Sequence, residues 1–132
     1  MKVIPTKVHG VLDYVVSIVL ITSPWLFDFA NGKAETLVPV LLGVSSIAYS
    51  LFTDYELSVS RSISMRSHLT LDFISGLFLT VSPWLLGFHS VVYAPHVIFG
   101  LLEMSVVLLS DPGPSHKRDS SPIPGKHNVD LR

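Results

Sequence analysis

Read for hydrophobic and polar positions, the chain falls into four apolar stretches separated by short polar links. Residues 8–29 form the first, opening on the spaced polar pair His9 and Asp13 and then running apolar to Phe29. Between Asp13 and Asp28 lie 14 uncharged residues, and the whole stretch, as helix, would measure roughly 30 Å, the thickness of a bilayer's hydrocarbon core. Thr36–Thr53 supplies 18 residues without a charge and predicts the second helix. A third helix is predicted near Ser67–Phe88 and a fourth from about Ala94 to Ser110, with Pro95 in the first turn, where proline is tolerated. The links carry the turn signal Asn31-Gly32, the polar run from Asp54 to Ser67, and a short turn at residues 89–93.

The third stretch copies the first. With a constant offset of 59, residues 9–29 and 68–88 are identical at 9 of 21 positions, among them His, Asp, Ser, Pro and Trp. Aligning Gly43 with Gly100 gives an offset of 57 for the second and fourth stretches. The expected architecture is therefore all-α: a four-transmembrane-helix bundle of two parallel helix-pair repeats, residues 1–58 and 59–110. A Pro/Ser-rich tail, residues 111–132, is expected to be disordered and cytoplasmic.

Within each first helix of a repeat stands Ser-Pro-Trp, at Ser23, Pro24 and Trp25 and again at Ser82, Pro83 and Trp84. Pro24 lacks an N–H and frees the carbonyl of Leu20, for which the Ser23 hydroxyl is the nearest donor. Trp25 and Trp84 are suited to the headgroup level. With these two motifs and the two His-x-x-x-Asp starts, the chain resembles the SPW-repeat family of small bacterial membrane proteins over roughly residues 9–110. That resemblance implies architecture, two membrane helices per repeat, and no catalytic residues.

Composition agrees with a lipid-dissolved chain. Charged residues are 14% of the sequence, well below the quarter or so of a soluble domain, and mean hydropathy is +0.53. The net charge of −1 argues against a nucleic-acid partner. The absence of cysteine removes disulfides, thiol chemistry and cysteine metal sites. The N-terminal apolar run is expected to be a retained helix and not a cleaved signal, because it recurs in mid-chain. Of the lysines and arginines, 8 fall on one side of a four-span topology and only Lys33 on the other, which predicts both termini in the cytoplasm and a place in the cell inner membrane.

The chemistry on offer is sparse. His9, Asp13 and Ser17 share one helix face, as do His68, Asp72 and Gly76. A two-fold arrangement would bring two imidazoles and two carboxylates together, a set able to hold a divalent metal or relay protons. The blander expectation is that each Asp stabilises the first turns of its helix, through free N–H groups or its own His, with the two sites independent and each His near solvent. Glu103 lies about 11 Å along its helix from His96. At that depth it is expected to be neutral or bonded to hydroxyls such as Ser46, an ionised carboxylate costing roughly 2.5–3.5 kcal/mol. His96 is expected at the opposite boundary, apart from His9 and His68. No phosphate loop, nucleophile elbow or dinucleotide fingerprint is present, so neither enzymatic activity nor a cofactor is expected. Histidines at the boundaries also disfavour a haem- or quinone-linked protein. Two readings follow: a non-enzymatic oligomeric, accessory or scaffold subunit acting through packing, with lipid and other membrane proteins or further copies as partners, or a proton or divalent-cation transporter or channel using Asp13, Asp72 and Glu103.

Overall fold

The structure, a computed structural model, describes residues 3–112; the tail expected to be disordered lies outside the described residues from 113 onward. Its regular structure is four α-helices: α1 (Thr6–Leu26), α2 (Ala34–Leu51), α3 (Met65–Leu85) and α4 (Ala94–Leu109). Among the described residues there is no β-strand, only two isolated bridges. Each helix lies within a few residues of its expected span. α1 begins directly after Pro5, which is extended (φ −66°, ψ 155°) and occupies the cap position. It ends before Phe29 because Asp28 turns into the left-handed region (φ 56°), letting the Phe29 N–H close on the Pro24 carbonyl at 2.8 Å. Gly87, at the same place in the second copy, takes φ 75°.

α1 packs chiefly on α2 and α3 on α4, with α2–α3 and α1–α4 contacts closing the bundle. Close approach within each pair is set by glycine. A Cβ on Gly43 would stand 2.7 Å from the Ser17 carbonyl oxygen of α1, and one on Gly100 would stand 2.4 Å from the Gly76 carbonyl oxygen of α3. Gly43, Ser46 and Ser50, which spacings of three and four put on one face of α2, are all buried within the chain.

Two backbone clasps tie the pairs together. Val3 and Ile4 donate to the Leu109 carbonyl (2.8 and 3.1 Å) and Asp111 donates to Ile4 (2.9 Å). Ser62 and Ile63 donate to the Phe52 carbonyl (2.9 and 2.8 Å) and Asp54 donates to Ile63 (2.8 Å). The second set is the first shifted by the offsets of 59 and 57. The end of α4 is thus held to the start of α1 as the end of α2 is held to the start of α3.

The prolines inside helices are compensated. Ser23 Oγ donates to the Leu20 carbonyl and Ser82 Oγ to the Leu79 carbonyl, each at 2.8 Å. Pro39 in α2 frees the carbonyl of Glu35 in the same way, and there the donor is His96 Nε2 of α4 at 3.1 Å. His96 stands where Pro39 does in the other repeat, so it is accounted for by this repair.

The distribution of side chains is inverted relative to a water-soluble bundle. His9, Ser17, Ser23, Ser46, Ser50, His68, Asp72 and Ser82 are buried. Val15, Ile18, Leu41, Val44, Ile74, Leu77, Ile98 and Leu108 are exposed. An apolar layer of Leu20, Val38 and Leu79, with Val16, Leu42 and Phe99 against it, crosses the interior beyond the polar cluster.

Candidate cation site

His9 and Asp13 project from α1 one turn apart, and His68 and Asp72 project from α3 in the same way, because spacing of four repeats a direction on a helix. The bundle turns both faces inward onto one another. His9 Nε2 lies 3.1 Å from Asp72 Oδ2 and 3.3 Å from Asp13 Oδ1. His68 Nε2 lies 2.8 Å from Asp13 Oδ2 and 3.0 Å from Asp72 Oδ2. Each imidazole therefore faces its own carboxylate and that of the other helix. The rings meet edge to face with centroids 5.3 Å apart. All four side chains are at most 8% exposed.

The outward side of each ring is also fixed. His9 Nδ1 is 2.7 Å from Ser110 Oγ and His68 Nδ1 is 2.8 Å from Thr53 Oγ1. Each hydroxyl gives its own proton to a backbone carbonyl, Ser110 to Val106 at 2.7 Å and Thr53 to Tyr49 at 2.8 Å. It therefore presents a lone pair to Nδ1, which donates. The Nε2 atoms are left facing the carboxylates. Tyr49 Oη donates to Asp72 Oδ1 at 2.5 Å, a contact without a counterpart, since Val106 occupies the equivalent place.

A small cavity of about 20 Å³ adjoins the quartet, lined by His9, Asp13, Ser17, Ser46, Asp72 and Glu103 among others. It is large enough for a water, which needs roughly 10–15 Å³ on this measure. Ser17 Oγ and Glu103 Oε2 are buried and have no hydrogen-bond partner among the described residues. Glu103 and Ser46 thus share a chamber with the quartet.

Several expectations are corrected here. Asp13 and Asp72 do not cap their helices. Each is the eighth residue of its helix, two turns in, while Pro5 and Ser64 hold the cap positions and Ser64 Oγ accepts from the Ser67 N–H at 3.2 Å. The histidines are not near solvent, at 1% and 0% exposure. Nor are the two sites independent, because both carboxylates share both imidazoles. His96 stays apart, packed between Phe29 and Phe88 with ring centroids at 5.5 and 4.9 Å. Trp25 and Trp84 lie on the outside, 64% and 55% exposed, and Trp84 stacks on His89. Thr53, Ser110 and Tyr49 were not singled out from the sequence. The signal for the first two was available, since the offset of 57 aligns Thr53 with Ser110 at the ends of α2 and α4; for Tyr49 there was none.

An all-α chain that buries polar groups and exposes apolar ones, with α1 and α2 long and apolar enough to cross a bilayer at mean hydropathy 1.4, points to a membrane protein. α3 and the 16-residue α4 fall outside that criterion. The SPW repeat domain matches residues 7–110, and the chain belongs to that family. No curated protein and no solved structure matches it.

Proposed function

We propose that the chain is a four-span inner-membrane protein of two parallel helix-pair repeats, both termini cytoplasmic, and that its working part is a cation site between those repeats. The repeated clasps support the parallel relation, since each joins the end of one pair to the start of the other. The apolar exteriors of α3 (Ile74, Leu77, Val81) and α4 (Ile98, Leu101, Leu108) support four spans. Basic residues on one side support the orientation.

One observation carries the functional part: four ionisable side chains from two helices converge, buried, beside a cavity that also holds Glu103. Buried ion pairs are a poor means of stabilising a fold, because desolvation offsets most of their attraction, and apolar residues of the same volume would pack as well. In a membrane such groups mark ion or proton sites by default. The packing-only reading is less well supported, because Gly43 against Ser17 and Gly100 against Gly76 use the close-contact positions within the chain itself. No enzymatic activity is proposed.

Carriage of the cation across the bilayer is tested in liposomes containing the purified chain, with proton and divalent-cation dyes inside. Flux above that of empty liposomes is expected, with Asp13→Asn and Asp72→Asn each reducing it at least roughly tenfold while the variants still run as monodisperse protein. Wild-type flux in both variants, or no flux from the wild type, would contradict the proposal.

A further inference from the structure

We propose that His9, Asp13, His68 and Asp72 together bind one divalent transition-metal ion of the zinc class, a proposal that rests on the quartet being a cation site. Each of the four side chains offers one donor atom, and these atoms all lie within 4.8 Å of one another. Tetrahedral zinc with bonds of 2.0–2.2 Å places its donors about 3.3–3.5 Å apart. Four Nε2–Oδ separations of 2.8–3.3 Å lie close to this, His9 facing Oδ1 of Asp13 and His68 its Oδ2, so an ion held through one oxygen of each carboxylate needs the side chains only to readjust within the cluster.

The donor chemistry narrows the ion. Two imidazoles are poor ligands for magnesium or calcium, which take oxygen, and the quartet offers no sulfur to select a soft monovalent ion. The surroundings are those of a metal centre as well. A ligating imidazole ordinarily donates its second N–H to an oxygen that fixes the ring. Ser110 and Thr53 receive the two Nδ1 protons here, one from each repeat. Tyr49 restrains the outer oxygen of Asp72. The cavity gives room beside the ligands, and Ser17 Oγ, 1% exposed and without a partner among the described residues, lines it. One ion would be held by α1 and α3 together and so would cross-link the two repeats.

The experiment uses the untagged full chain in detergent, stripped with chelator and titrated with Co²⁺. One ion per chain is expected, with the intense visible bands of tetrahedral cobalt, displacement by Zn²⁺, a raised thermal midpoint, and neither effect from Mg²⁺. His68→Gln and Asp13→Asn should lower affinity by roughly 100-fold or more. Thr53→Val keeps all four donors but releases one ring, and should lower it by roughly 10- to 100-fold. Monodisperse wild-type protein giving no tetrahedral cobalt spectrum would overturn the proposal whatever the variants do. Binding undiminished in His68→Gln would overturn it too, by placing the metal elsewhere. Site-dependent proton flux without metal binding would sink the metal and leave the cation site standing.

Discussion

Asp72→Ala is expected to destabilise the protein by roughly 3–5 kcal/mol, the size found when one partner of a buried ion pair is removed. The reason is the number of groups it serves: His9 Nε2, His68 Nε2 and Tyr49 Oη all point at its two oxygens, and it is 2% exposed. Alanine leaves three buried polar atoms facing a void. Unfolding in mixed micelles by added SDS measures the loss. Asp54→Ala is the control, since the Asp54–Arg61 pair is long at 3.4 Å and its side chains are 46% and 72% exposed. Solvent-screened pairs of this kind contribute little, so its midpoint should stay where it is. Equal midpoints for Asp72→Ala and the wild type would mean the quartet does not exist as described.

Gly100→Ala should be the most damaging glycine-to-alanine change among the described residues. The new carbon would stand 2.2 Å from Thr80 Oγ1, 2.4 Å from the Gly76 carbonyl oxygen and 2.8 Å from the Thr80 nitrogen. Two of those atoms are backbone and cannot rotate away, so α4 must move off α3. Overpacking of this kind costs about 1–3 kcal/mol. The cost should be accompanied by disturbance of the quartet, because α4 also carries Ser110 and Glu103 to it. The same SDS titration gives the energy, and the cobalt spectrum gives the disturbance. Wild-type behaviour in both would show that the helices do not approach so closely.

Much of this was legible in the sequence, and the reason is repetition. The offset of 59 exposed the two equivalent helices, and proline chemistry alone named Ser23 as the donor to the Leu20 carbonyl. The inward convergence of His9, Asp13, His68 and Asp72 could be written down as one consequence of two-fold symmetry. Choosing it over separate helix starts could not, because a spacing of four shows which residues share a face but not what that face meets. Both of these helices begin two residues earlier than expected, directly after Pro5 and Ser64, and that small shift moves the carboxylates from the sixth residue of the helix to the eighth. Thr53 and Ser110 lie at helix ends, where a hydroxyl has many ordinary uses, so only their partners identify them. His96 was expected to stand apart from His9 and His68, and only its counterpart Pro39 in the other repeat explains what it does there.

The central claim is that the two repeats share one site, and the contact that tests it most directly is His68 with Asp13, 2.8 Å apart but 55 residues distant in sequence. A double-mutant cycle of Asp13→Asn and His68→Gln, read by SDS unfolding, measures their coupling. An interaction energy of about 1 kcal/mol or more is expected, in the range of residues that share one network. Additivity within about 0.3–0.5 kcal/mol, the behaviour of sites that do not touch, would contradict it.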